Sequence, residues 1–174
     1  MTKFLLSLHV LAAIVAVGPV TVAASMFPPS ARKALGEPGS ERAVAAVRLL
    51  HRICRVYGGV GIAVPVLGFA TAMSMGVLND AWLIVSMLLT ALAAMVLLAL
   101  VLPRQEEILA GLGGTATEGP TTGSPATGTA DTATGTAVDT RATARLAMFT
   151  GVFNLLWATV TILMIVRPGS TTGA

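Results

Sequence analysis

Two histidines, His9 and His51, and a single cysteine, Cys54, are the side chains of this chain best suited to ligation or proton transfer. His9 lies within an uninterrupted apolar stretch, where an ionisable group is costly and marks a candidate site. Its imidazole could ligate a haem iron or hydrogen-bond a neighbouring helix, and the second role needs no further residues. His51 and Cys54 stand at i and i+3, on one face of a helix. Both are metal-ligand types, but two ligands do not close a site, and the neighbouring Arg52 and Arg55 would repel a cation. Interfacial packing is their simpler role. Asn154 sits in another apolar stretch, where an amide needs a partner on a second helix. Thr150, Thr159 and Thr161 can serve likewise. There is no Walker loop, HExxH, nucleophile elbow or CxxC.

The elements that must carry these residues follow from block length. Of 174 residues, 55% are hydrophobic and only 11% charged, against roughly 25% charged in a soluble domain. Four blocks lack Asp, Glu, Lys and Arg altogether: 4–27, 57–78, 81–102 and 146–166. Each has the roughly 20 residues that a helix needs to cross a hydrocarbon core of about 30 Å. None alternates strictly, which excludes lipid-facing barrel strands, and helices are the other way to satisfy a backbone in lipid. The expectation is an all-α integral membrane protein, a four-transmembrane-helix bundle. Without intramembrane charges there is no obvious ion or proton pathway. A cleavable signal over the first block is disfavoured, because its apolar stretch is longer than the usual 7–15 residues or so.

Lys and Arg sort between the ends of the spans. Arg32, Lys33, Arg42, Arg48, Arg52 and Arg55 fall between the first and second, and Arg104, Arg141 and Arg145 between the third and fourth. Lys3 and Arg167 alone fall on the other side, nine against two. Positive-inside bias then puts both long loops in the cytoplasm and both termini outside. The net charge of +3 is spread along span ends, which argues against nucleic acid as a partner. The turn Asn79-Asp80 makes spans two and three an antiparallel hairpin.

The segment from Glu41 to Arg55 extends span two backwards as a helix. Arg48, Arg52 and Arg55 share one face suited to lipid head groups; the simpler role for them is topology retention. Gln105 to Leu109 continues span three for a turn or two. The Thr/Gly/Ala-rich run 111–143 lacks the apolar surface to offset its ordering entropy, so a disordered linker is expected there. Gly61, Gly68, Ala72 and Gly76 form a small-residue face for close helix approach, and Pro19 and Pro65 are expected to kink their helices. His9 and His51 should lie about 30 Å apart along the bundle by helix rise, too far to share one haem.

The segments LHVLAAIVAVGPVTVA and MIVRPG resemble a family of small bacterial membrane proteins without assigned activity, domain of unknown function 2269. A more distant similarity links His9, early in the first span with a glycine beyond it, to the four-span protoporphyrinogen oxidases and copper-resistance membrane proteins. That resemblance implies haem b on a first-helix histidine. The oxidases also use a lysine in helix three, and residues 81–102 here contain neither Lys nor His.

The resulting expectation is a multi-pass protein of the bacterial plasma membrane, in keeping with the Ala, Gly, Val and Thr bias of a GC-rich genome. Its role would be an accessory or assembling one, in contact with lipid and with a second copy or another membrane protein. The alternatives are a haem-b or redox protein using His9, and an oligomeric small-solute transporter.

Overall fold

A computed structural model describes residues 2–114 and 129–169. Among the described residues every regular element is a helix: α1 (Thr2–Gly36), α2 (Glu41–Val60), α3 (Ala63–Met75), α4 (Ala81–Met95), a π-helical segment (Val96–Val101), α5 (Leu102–Gly114) and α6 (Thr129–Val166). End to end they make four helical rods, each long and apolar enough to cross a membrane: 2–36, 41–75, 81–113 and 141–166. The rods run alternately up and down. α1 packs on α2 and α3 along one side and on α6 along the other; α4 and the π segment close the ring against α6, and α5 reaches α2.

Several boundaries differ from the sequence expectations. The connection between the first two rods is only Glu37 to Ser40, because α1 runs through Pro28 and Pro29 to Gly36 and α2 begins at Glu41. Ser40 caps α2, its hydroxyl accepting from the Ala43 amide, which satisfies one of the orphan donors of a helix start. The Thr-rich run expected to be a linker is helical at both ends: 111–114 belong to α5 and 129–143 to α6. Extending a formed helix costs far less than nucleating one, and alanine is the best helix former. Residues 115–128 of that run lie outside the described residues.

Proline explains the two irregular points. Pro65 has no amide hydrogen for the Gly61 carbonyl. The second rod accordingly breaks at Gly61-Ile62, where Val64 N bonds Gly61 O instead, and Pro65 falls in the first turn of α3, a tolerated position. Pro103 likewise cannot serve the Ala99 carbonyl. The chain shifts to π register just before it, with the Leu102 amide on Leu97 O. One extra residue per turn rotates everything downstream by about 100°, and that rotation sets which face α5 offers to α2.

The main core lies toward the α1–α2 turn. Phe27, Val47, Val101, Leu146 and Phe153 are buried there with Ala31, Ala34 and Leu112. Phe153 meets Trp157 edge-on, ring centroids 6.4 Å apart, a favoured aromatic geometry. The half nearer the termini is built on smaller contacts, among them Ala72 with Trp82 and Leu83. Large aliphatic side chains point outward along every rod, including Leu11, Ile14, Val66, Leu88, Leu155 and Ile165.

Candidate functional site

Polar side chains join helices at three places, two of them inside the bundle and the third at its exposed α1–α6 seam. The first is at α1–α3. His9, only 8% exposed, places Nδ1 3.0 Å from the Val64 carbonyl oxygen. A carbonyl only accepts, so Nδ1 donates and the ring is the Nδ1–H tautomer. Gly68 is the seat: a Cβ there would stand 2.9 Å from His9 Cε1, 3.3 Å from Nδ1 and 3.5 Å from Nε2. The edge of the ring that carries both nitrogens is therefore pressed against α3.

That placement tests haem ligation directly. Donation from Nδ1 to a carbonyl would orient a ligand histidine well. Nε2 also lies near α3, 3.5 Å from where a Cβ on Gly68 would stand. Among the described residues no group of three or more His, Cys, Asp or Glu could hold a metal. The bonding observed at His9 is that of an imidazole pinning α1 to α3.

The second place joins α2 to α5. His51 Nδ1 lies 3.1 Å from Gln105 Oε1, and Gln105 Nε2 donates to Cys54 Sγ at 3.6 Å. Gln105 and Cys54 are both fully buried. With the Gln105 nitrogen committed to sulfur, its oxygen accepts and His51 Nδ1 donates. Glu106 Oε1 is 3.7 Å from His51 Nε2 and its side chain is 60% exposed, too long for a hydrogen bond and too solvated to hold much energy. The chain His51–Gln105–Cys54 locks the register of α5 on α2, and its thiol is sealed from solvent. Beyond it, Arg48, Arg52 and Arg55 are exposed. The apolar stripe of α2 also points outward, with Leu49 and Val56 exposed, while Ala43, Val47 and Cys54 face the bundle.

The third place joins α1 to α6, where Asn154 Nδ2 donates to Ser25 Oγ at 3.0 Å. Thr159 and Thr161 instead bond carbonyls within their own helix, those of Leu155 and Trp157.

The small-residue face splits into different roles. Gly68 and the buried Ala72 are close-approach positions. Gly61 caps α2 at the break, and an added Cβ would meet its own preceding turn, Gly58 O at 3.1 Å. Gly76 ends α3 with φ +70° and open space where a Cβ would go, so it serves the turn and not packing. Sequence reasoning missed Gln105, Ser25 and the Val64 carbonyl. A glutamine just beyond an apolar block carries no signal of burial, because the π register that turns it inward depends on tertiary packing. No family model, no curated protein and no solved structure matches this chain.

Proposed function

We propose that this chain is a multi-pass integral membrane protein of the bacterial plasma membrane, of unknown biochemical activity, acting as an accessory or assembling component. The observation that carries this reading is the inside-out distribution of side chains. Leu11, Ile14, Val66, Leu88, Leu155 and Ile165 are exposed, whereas His9, Gln105 and Cys54 face other helices and bond there. In water such a surface would be far larger than the apolar patch a soluble monomer tolerates. In lipid it is the ordinary outer face of a bundle, and His9, Gln105 and Cys54 have the helix partners that polar groups in a bilayer need.

The same arrangement supports the accessory role. The internal polar side chains hold helices in register, and the outward apolar faces can meet lipid or the helices of a second copy or another membrane protein. The nine-to-two division of Lys and Arg supports cytoplasmic connections and outside termini. The short apolar segments quoted above support kinship with the small bacterial membrane proteins of domain of unknown function 2269.

Alkaline carbonate extraction of membranes from expressing cells tests the reading. The protein should stay in the membrane pellet, and its release into the supernatant would overturn insertion.

A further inference from the structure

The α1–α6 seam contains a cavity of about 330 Å³ lined by Ser25, Pro28, Pro29 and Arg32 from α1 and by Ala147, Thr150, Gly151 and Asn154 from α6. Two side-chain oxygens of its lining residues are buried and unpartnered, Thr150 Oγ1 and Asn154 Oδ1. Thr150 is only 3% exposed. Leaving such groups dry costs on the order of a whole hydrogen bond each, so a ligand that completes them is favoured. A third acceptor belongs to the same wall: Pro29 has no amide hydrogen, so the Ser25 carbonyl lacks its i+4 helical donor. At the mouth stands Arg32, exposed and, among the described residues, without a carboxylate partner. The rim is apolar, with Val22, Met26, Met148 and Leu155 exposed on the same two helices.

A cavity that offers oxygen acceptors inside, a guanidinium at the mouth and aliphatic flanks suits an amphiphile with a phosphate, free hydroxyls and acyl chains. We propose that this seam is a binding site for one anionic glycerophospholipid with a hydroxylated head group, of the phosphatidylglycerol type. Arg32 takes the phosphate, the head-group hydroxyls donate to Asn154 Oδ1 and the Ser25 carbonyl and accept from Thr150, and the acyl chains lie along Val22, Met26 and Leu155. The site rests on the membrane reading above and is distinct from the exposed arginines of α2. A larger depression of about 670 Å³ at the α1–α2 turn is lined by Lys33, Glu37, Glu41 and Arg42 and holds no unpartnered buried polar atom among the described residues.

The test is native mass spectrometry of the full chain, delipidated in mild detergent and titrated with phosphatidylglycerol, phosphatidylcholine or glycerol 3-phosphate. One equivalent of phosphatidylglycerol should be retained in preference to phosphatidylcholine, whose head has no donor. Arg32→Gln and Thr150→Val should each weaken it roughly tenfold, the loss of about one charge-assisted or buried hydrogen bond. Thr150→Ser, which keeps the hydroxyl, should bind like the parent, as should a triple Gln variant of Arg48, Arg52 and Arg55. Equal retention of phosphatidylcholine, or indifference to Arg32→Gln and Thr150→Val, would overturn the site. Competition by glycerol 3-phosphate at the same concentration would show a soluble phosphate ester as the ligand and reject the lipid. If Thr150→Val fails to fold, Arg32→Gln at the exposed mouth decides alone. Loss of lipid selectivity in a carbonate-resistant protein would refute this site and leave the membrane reading standing.

Discussion

The half of the bundle near the termini and the half near the α1–α2 turn join their helices by different means. Near the termini, α1 meets α3 through one imidazole laid on one glycine, with a single bond from His9 Nδ1 to the Val64 carbonyl. Near the turn, α2 meets α5 through three side chains in series, His51, Gln105 and Cys54, with Cys54 packed on Ala23 and Ala24 and the main core of Phe27, Val47 and Leu146 in the same half. The first joint depends on shape and tolerates no added atom. The second depends on hydrogen bonds and sits beside a larger apolar core, so it should lose strength in smaller steps.

The sharpest way to break that contrast is at Gly68. In Gly68→Ala the new Cβ would lie 2.9 Å from His9 Cε1, so helix or ring must shift, at about 1–3 kcal/mol for an overpacked site. Thermal unfolding in detergent should show it as the largest loss among these variants. His9→Ala in the same chain should relieve the clash, giving a coupling between the two positions of about 0.5–3 kcal/mol. Additive losses in the double variant would mean that His9 and Gly68 do not share a seat.

A smaller effect is expected at the other joint. Gln105→Leu removes both bonds and leaves His51 Nδ1 without its acceptor, a cost of about 1–3 kcal/mol at most, reduced because His51 keeps some access to solvent. The shorter side chain of Gln105→Ala also uncovers Cys54. The thiol should react slowly with a maleimide in the folded parent and measurably faster in Gln105→Ala; equal rates would place Gln105 elsewhere.

The smallest effect concerns the end that carries the termini. Arg167 lies over the Trp82 ring at 5.7 Å, and Trp82 donates to Asp80 Oδ2. Trp82 is buried and Arg167 half-buried, so this cation–π contact is worth about 1 kcal/mol, between the exposed and the desolvated cases. Arg167→Ala should therefore shift the melting temperature only slightly, and a large drop would show that this contact anchors α6.

The contrast also marks what sequence could and could not reveal. Four charge-free blocks announce four long apolar helices, since only length and composition are needed. The basic helix from Glu41 was legible from its arginine spacing. The helix breaks were half legible: Pro65 signals an interruption, but the break lies at Gly61-Ile62, where the chain can leave a carbonyl to another donor. The extent of α6 was not legible, because Thr- and Ala-rich residues become helical as the extension of a helix that tertiary packing has already formed. His9 stood out by its chemistry, yet its partner is a backbone carbonyl, which every residue carries and no sequence pattern reveals. Gln105 was hidden for a related reason. The π segment before Pro103 decides its direction, and the choice between kink and π register is made by neighbours.

Insertion with the α1–α2 turn in the cytoplasm is the central claim, and single cysteines at the two ends of the bundle test it directly. Glu37 and Asn79 are both exposed in short turns, one at each end of the rods, and Cys54 can be retained because it is buried. Spheroplasts expressing Glu37→Cys or Asn79→Cys are treated with a membrane-impermeant maleimide before and after lysis. Asn79→Cys should label in intact spheroplasts, and Glu37→Cys only once they are lysed. Labelling of Glu37→Cys in sealed spheroplasts, with Asn79→Cys protected, would invert the orientation. Equal labelling of both only after lysis would contradict a membrane-spanning bundle.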